Sequence, residues 1–454
     1  MTPRVLTVVF AIEPEREAVI RRWLEERGAP AADSDASGEP RLQDRFGQLG
    51  TVHFGRWVLL PASTRGDPDE SFPAQIAMET NFDGPLEAQL QGLAVAFEKL
   101  LDFVAPQGSY AGTVEGRVAF LRACRVTSNT PYRGHPNLPV SVIRSDAVLS
   151  REIRAFVDRE RRANRLPTEP AELHASVVAF AKGRADLDTE PHPRGLLPER
   201  TLVAVMVGVL ALLVAVISFA VARSLAIAPG LVVSLALVVL ALVLASLAYG
   251  FFAFVAWIER GEVARDTRGR AEVLRDPELL EEFNEDFQVQ NALTHLAIVK
   301  RSLPRRLVLR VVLFGVGLLA RTLYVHGKLA TIDSIHCARW ILIDGGRRLL
   351  FFSNYDGSWE SYLGEFVDKL SFWLTAVWSN TRRFPTTVGT FSGRGAKDEE
   401  WFKRWTRQRQ LPTQVWYAAY PNLSVQNVIA NAKLREGLNK KLVDQELRDW
   451  LRLI

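Results

Sequence analysis

One phrase of this chain is written twice. Val52-His53-Phe54-Gly55-Arg56-Trp57-Val58-Leu59 returns as Ile335-His336-Cys337-Ala338-Arg339-Trp340-Ile341-Leu342, with His, Arg, Trp and Leu in the same places. Each copy is followed by a second shared phrase, Asn81-Phe82-Asp83-Gly84 and then Asn354-Tyr355-Asp356-Gly357. A third keeps the same order: Pro136-Asn137-Leu138-Pro139-Val140, then Pro421-Asn422-Leu423-Ser424-Val425. Three paired motifs in one order mark an internal duplication, so the soluble part reads as two copies of one unit. Such copies can pack about a pseudo-twofold axis, and a ligand site is expected where they meet.

Apolar residues make up 48% of the 454, but they are unevenly spread. From Thr201 to Ile258 the single charge is Arg223. Thr201 to Ala222 is long enough as a helix to cross a hydrocarbon core of about 30 Å. Leu231 to Ile258 is longer, and Pro229-Gly230 offers a turn between the two. A two-helix transmembrane hairpin is predicted, with both soluble parts on one side. Arg194 and Arg200 precede it and Arg260, Arg265, Arg268 and Arg270 follow, so the positive-inside rule puts both soluble units in the cytoplasm. Leu307 to His326 is also apolar, but Arg310 and Arg321 within it argue against a full span. It reads as an interfacial helix whose arginine stems snorkel to headgroups, or as a packed one.

The lipid bilayer is therefore the expected partner. A net charge of +5, with no basic helix interleaved with aromatics, gives no nucleic-acid surface. Cys124 and Cys337 stand far apart and read as reduced thiols. Glu13, Glu15 and Glu17 directly follow the first short apolar run, a pattern unlike a secretory signal.

Within the first copy, Val5 to Ile12, Gly50 to Pro61 and Ala74 to Thr80 read as strands. Glu15 to Arg27 and Pro85 to Val104 read as helices, and a strand before Pro136 and a helix over Ser150 to Arg162 close the unit. The second copy repeats this with strands Asn291 to Lys300, Asp333 to Asp344, Arg348 to Ser353 and Thr413 to Tyr420. Its helices are the Leu307 stretch, Ser358 to Asn380 and Val425 to Leu438, and Gly345-Gly346 makes a hairpin turn. Strand, helix, strand, strand, helix, strand is the ferredoxin-like order. The fold class expected is α+β, with two tandem ferredoxin-like units forming an α+β barrel. The division is 1–165 for the first unit, 166–200 and 259–290 for polar helical connectors, 201–258 for the hairpin and 291–454 for the second unit.

Strand alternation puts His53, Gly55 and Trp57 on one face and Phe54, Arg56 and Val58 on the other, with the second copy alike. Small Gly55 and Ala338 would leave space beside the imidazoles for a flat ligand or a metal. The structural alternative is that His and Trp are core residues while Arg56 and Arg339 pair locally. Asp83 and Asp356 sit in turns that suit a helix cap, supplied by Asp356 or Ser358 in the second copy. They could also move protons at the rim of a cavity between the units. Tyr355, Trp359 and Tyr362 give the second copy the richer aromatic wall, so a single active copy would be the second. Gly389 to Gly395 matches no phosphate loop and reads as a plain mobile loop. His295 is a further candidate ligand or core residue.

Paired ferredoxin-like units with a turn ending Asp-Gly resemble the dimeric α+β barrel superfamily, which includes dye-decolorising peroxidases and chlorite dismutase-like haem proteins. The peroxidases carry Gly-x-x-Asp-Gly, whereas here the comparable stretches begin with Thr80 and Ser353, so the leading glycine is missing and only Asp-Gly is kept. The resemblance implies haem, with His336 or His53 on the iron, Trp340 and Tyr355 beside the cofactor and Asp356 or Asp83 handling protons. Arg339 would steady charge on a peroxide oxygen. Two functions follow. One is a membrane-anchored, peroxidase-like oxidoreductase acting on an apolar small molecule. The other is a non-catalytic lipid-binding or scaffold protein whose motifs serve folding. An oligomer is compatible with either.

Overall fold

The computed structural model describes residues 4–28, 41–63, 71–128, 130–135, 137–191, 208, 223, 229–263, 288–322 and 332–454. Its first half runs β1 (Arg4–Ala11), α1 (Glu17–Gly28), α2 (Leu42–Gln48), β2 (Val52–Leu60) and β3 (Gln75–Phe82). It continues through α3 (Leu86–Ala96), α4 (Glu98–Val104), α5 (Val114–Ala123), β4 (Tyr132–Arg133), α6 (Val140–Arg162) and α7 (Pro170–Lys182). The single helix expected over Pro85 to Val104 is two, broken at Phe97, whose ring packs 4.5 Å from Phe46 and 5.4 Å from Trp57. Helix α5 falls where no helix was expected; Thr113 caps it by accepting from the Gly116 amide.

A 35-residue helix, α8 (Pro229–Val263), leads to the second half. There follow β5 (Gln290–Ile298), α9 (Leu303–Thr322), β6 (Ile335–Ile343), β7 (Arg348–Asp356) and α10 (Trp359–Trp378). The chain ends with β8 (Thr387–Val388), β9 (Gly393–Arg394), α11 (Glu399–Arg409), β10 (Val415–Ala418), α12 (Val425–Leu438) and α13 (Asp444–Leu451). Ser358 caps α10, its hydroxyl accepting from the Ser361 amide.

The architecture is α+β with antiparallel sheets, but the halves are not self-contained. One sheet has the order β1-β3-β2-β10 and the other β4-β6-β7-β5. Each half builds three strands, and its fourth crosses to the other sheet. The exchange is reciprocal and uses the doubled phrase: Tyr417 opposes Gly55 and Ala418 opposes Phe54, while Tyr132 opposes Ala338 and Arg133 opposes Cys337. The donated strand lies beside β2 or β6, not beside β1 or β5, so the sheet order departs from that expected of an independent ferredoxin-like unit. Closing helices α6 and α12 pack on each other, with an ion pair between Asp146 and Arg435.

Among the described residues one helix segment, Val232–Glu262, is long and apolar enough to cross a membrane. The first expected span, Thr201 to Ala222, lies outside the described residues apart from Gly208. Two carboxylates dock the foot of α8 on the second half. Glu259 accepts from the Thr390 amide at 2.8 Å, the Phe391 amide at 3.1 Å and the Thr387 hydroxyl at 2.9 Å. The glycine-rich stretch expected to be a mobile loop is thus a receptor for Glu259: Gly389, Thr390 and Phe391 all have positive φ, a backbone form that gathers N–H groups around an anion. Glu262 pairs with Lys300 at 2.8 Å and Arg305 at 2.5 Å.

Helix α9 has apolar residues on both sides. Val308, Leu309, Val312 and Leu313 are buried, while Leu303, Leu307, Val311, Phe314 and Leu318 form an exposed stripe, Phe314 at 74%. That stripe follows the spacing of one helix face. Moving such a stripe from water into hydrocarbon would contribute on the order of 5–10 kcal/mol.

Candidate functional site

Alternation fails at both histidines of the doubled phrase. The β2–β3 register skips between Val52 and Phe54, and the β6–β7 register skips between Ile335 and Cys337, so His53 and His336 each sit in a bulge. The expected grouping of His with Gly and Trp is therefore corrected. Gly55 and Trp57 face the helices, where a Cβ at Gly55 would lie 2.6 Å from the Phe46 ring. His53 and His336 turn instead towards the seam between the halves, where Phe54 also lies.

There the three repeated motifs converge. His53 Nε2 is 3.0 Å from Asp83 Oδ1, and Asp83 Oδ2 accepts the Val140 amide at 2.8 Å. In the second copy His336 Nε2 is 2.8 Å from Asp356 Oδ1, and Asp356 Oδ2 accepts the Val425 amide at 2.7 Å. Val140 and Val425 open α6 and α12, so each aspartate joins a histidine to a helix N-terminus, where a carboxylate is favoured. Asp83 and Asp356 were expected as proton shuttles or caps; their contacts are those of a brace between strand and closing helix. Each aspartate oxygen is placed to accept from the imidazole Nε2 it faces.

Arg56 and Arg339, next along the phrase, reach across the seam in matching ways. Arg56 donates to the Leu293 carbonyl, Thr294 Oγ1, the Ser353 carbonyl and, at 2.7 Å, Asn354 Oδ1. Arg339 donates to the Leu6 carbonyl, Thr7 Oγ1, the Thr80 carbonyl and, at 2.8 Å, Asn81 Oδ1. Each arginine of the first motif thus grips the asparagine of the second motif in the other half. Both guanidinium groups also meet one carboxylate, Glu79, at 2.5 Å each. Burial pulls the Arg56 pKa down, and Glu79 opposes that pull. Arg339 was expected to steady a peroxide oxygen; it is fully committed inside the protein.

The symmetry breaks ahead of the third motif, where the first copy has His135 and the second Tyr420. Tyr420 Oη lies 2.9 Å from His53 Nδ1 and 2.8 Å from His135 Nε2. The hydroxyl has one proton, so one imidazole donates and the other accepts. At the mirror position the His135 and His336 rings meet edge-on at 5.4 Å, and Nδ1 of each is buried without a partner among the described residues. Burial, with His336 and His53 adding to it, drives the His135 pKa well below its ordinary value. Burial raises the Cys337 thiol to about 12. Glu79, His135 and Tyr420 were not singled out from sequence, although His135 and Tyr420 align one residue before the third motif.

These residues do not fit a haem. His336 Nε2 is held by Asp356, and the ring is packed against Phe54 at 5.2 Å and His135. His53 has both nitrogens engaged. A flat macrocycle needs roughly 300 Å³ or more, and neither histidine lines the cavities beneath α10 or the arginine-lined cleft of about 210 Å³ near Arg348 and Arg382. Tyr355, expected beside a cofactor, stacks on Tyr362 at 3.9 Å in the core. No group of three or more metal-ligating side chains occurs among the described residues.

Space exists elsewhere in the second half, along the buried side of α10. A cavity of about 40 Å³ is lined by Tyr132, Val316, Ala338, Trp340, Leu370 and Trp373 among others. Beyond Phe366 and Leu374, which line both, lies a second of about 20 Å³ that includes His295 and Thr406. Helix α10 is kinked at Leu370 (φ −132°, ψ 15°), beside the larger cavity. Ala338 therefore does leave room, but next to Trp340 and not beside His336. Val316 of α9 joins the wall, and the same apolar cluster includes Val255 and Ile258 of α8.

No protein-family model, curated protein or solved structure matches the chain.

Proposed function

We propose that this chain is a membrane-anchored, non-catalytic protein that takes an apolar molecule from the bilayer into its second half. In this reading 201–222 and 231–258 form a two-helix anchor, both soluble halves face the cytoplasm, and the halves derive from one ferredoxin-like ancestor. The observation that carries the reading is the apolar cavity beneath kinked α10, one wall of which is α9, the helix packed against α8. The exposed stripe of α9 supports it further, since its residues would lie in the bilayer beside the cavity. What speaks against catalysis is the bonding of the doubled motifs: His53, Asp83, Arg56 and their counterparts spend their polar atoms on one another.

The test uses the full chain in lipid nanodiscs doped with a diazirine-bearing alkane. Photolabelling is expected on Val316, Leu319 and Trp373, and should vanish from them in Ala338→Leu, which fills the cavity. Labelling confined to α8, or unchanged by Ala338→Leu, would contradict the proposal.

A further inference from the structure

Helix α9 carries cations where its exposed face meets its buried one. The exposed stripe of Leu303, Leu307, Val311, Phe314 and Leu318 is edged along one side by Arg306 and Arg310, one turn apart. Arg306 is half-buried, and its Nε lacks a partner among the described residues. Arg310 is exposed and reaches the β6–β7 turn, where a Cβ at Gly346 would lie 3.8 Å from its Nη2. Arg347, next in that turn, is also exposed; its Nε donates to the Asp344 carbonyl, and its guanidinium stands 5.0 Å over the Phe72 ring. The neighbouring carboxylates are already engaged: Asp344 pairs with Arg348, and Glu262 with Lys300 and Arg305. Among the described residues, none of Arg306, Arg310 and Arg347 has an ion-pair partner. Cations gathered along one edge repel one another, and an anion between them relieves the repulsion.

The place of this edge in the fold narrows the choice of anion. Arg305 pairs with Glu262 at the foot of α8, while Val308, Leu309, Val312 and Leu313 share an apolar cluster with Val255 and Ile258. Helix α9 therefore lies alongside the last turns of the apolar segment Val232–Glu262. Trp257 and Arg260 are exposed on those turns, the residue types that mark where a span leaves hydrocarbon for water. A helix at that level meets acyl chains with its stripe and phosphates with its edge. An acidic protein would match the arginines but leave the adjoining stripe in water.

Resting on the reading above that the stripe of α9 lies in the bilayer, we infer that α9 recognises anionic phospholipid. The stripe enters the leaflet that holds the foot of α8, and Arg306, Arg310 and Arg347 receive the headgroup phosphate. Guanidinium groups suit this role, because each presents several N–H donors in a plane that matches phosphate oxygens. Phosphatidylglycerol, with its net negative charge, is the favoured lipid. Phosphatidylcholine, whose phosphate is balanced by its own ammonium group, is disfavoured.

The test uses the full chain in nanodiscs, with a bimane label on Leu307→Cys in a Cys124→Ser background, where the remaining thiol, Cys337, is buried. Quenching is compared between phosphatidylglycerol and phosphatidylcholine, each carrying a doxyl group high on one acyl chain. The anionic lipid is expected to be favoured at the label by about fivefold. Arg306→Gln, Arg310→Gln and Arg347→Gln together should abolish the preference while both lipids still quench. The matching Arg→Lys triple variant should keep most of it; loss there as well would point to packing, not charge, and overturn the inference. Equal quenching by the two lipids, or a preference unmoved by the glutamine variant, would overturn it while leaving the stripe in the bilayer. Quenching by neither lipid, while a label on Leu244→Cys of α8 responds to both, would overturn the bilayer placement of α9 itself.

Discussion

At matched positions the two halves place different residues on the same frame. Val8 in β1 corresponds to His295 in β5, Gly55 to Ala338, and Glu79 to Phe352. The first half has its Gly55 site filled by Phe46, whereas the second keeps cavities at Ala338 and His295. What both halves share is the hydrogen-bonded frame: Arg to Asn across the seam, His to Asp to helix N-terminus within it. The duplicated residues are therefore those that assemble the pair, and the residues that differ are those that shape an interior. A repeated motif need not mark a repeated active site.

The single acid at the seam offers the sharpest way to break this comparison. Glu79→Leu leaves Arg56 and Arg339 buried without a counter-charge and should cost about 3–5 kcal/mol, read by chemical denaturation. Phe352→Leu at the mirror position should cost only about 1 kcal/mol. Since Arg56 also lies 5.0 Å from the Phe352 ring, the exchange Glu79→Phe with Phe352→Glu should restore much of the loss. No recovery in the exchanged protein would show that the two positions are not equivalent.

The aspartate braces come next. Asp83→Ala and Asp356→Ala each leave an imidazole N–H and a helix-terminal amide unpaired, costing about 2–3 kcal/mol apiece. The two losses should agree within about 1 kcal/mol; a silent Asp356→Ala would mean the second brace is ornamental. Gly55→Ala forces a methyl group into Phe46 and should cost about 1–3 kcal/mol in thermal melts. Ala338→Gly, where space already exists, should cost no more than about 1 kcal/mol.

A separate effect is in pH. His135 and His295 both have pKa values held well below the ordinary one, mainly by burial. The unfolded chain therefore binds more protons as pH falls below about 6.5, so stability present above that pH is lost on acidification towards the folded-state values. Each imidazole contributes a slope of up to roughly 1.4 kcal/mol per pH unit. His135→Tyr, which copies the partner position Tyr420, together with His295→Val, which copies Val8, should flatten the melting temperature between pH 6.5 and 5. An unchanged slope would count against the burial of these rings.

Much of the frame was legible from residue order. The duplication, the eight strands of the two main sheets and the apolar helix α8 follow from periodicity and composition; even β4, only two residues long, is expected ahead of Pro136. The destination of β4 and β10 was not legible, because alternation specifies which face a strand buries and not which edge it joins. The histidine bulges were equally hidden, and they reversed the face assigned to His53 and His336. Pattern also overvalued the glycine-rich stretch as a loop, since the nest that receives Glu259 depends on positive φ at Thr390 and Phe391, residues with no such preference. Glu79 escaped notice because it lies outside every repeated phrase, and its uniqueness is what lets one acid serve two arginines.

Strand exchange is the central claim, and a native thiol allows it to be tested directly. Arg133 on β4 lies opposite Cys337 on β6, so Arg133→Cys in a Cys124→Ser background places two thiols on neighbouring strands at a spacing a disulfide can bridge. Mild oxidation followed by proteolysis and mass spectrometry should recover a 133–337 cross-linked peptide within one chain. If both thiols stay free under oxidation while the protein remains folded, the fourth strands have not crossed and the account fails.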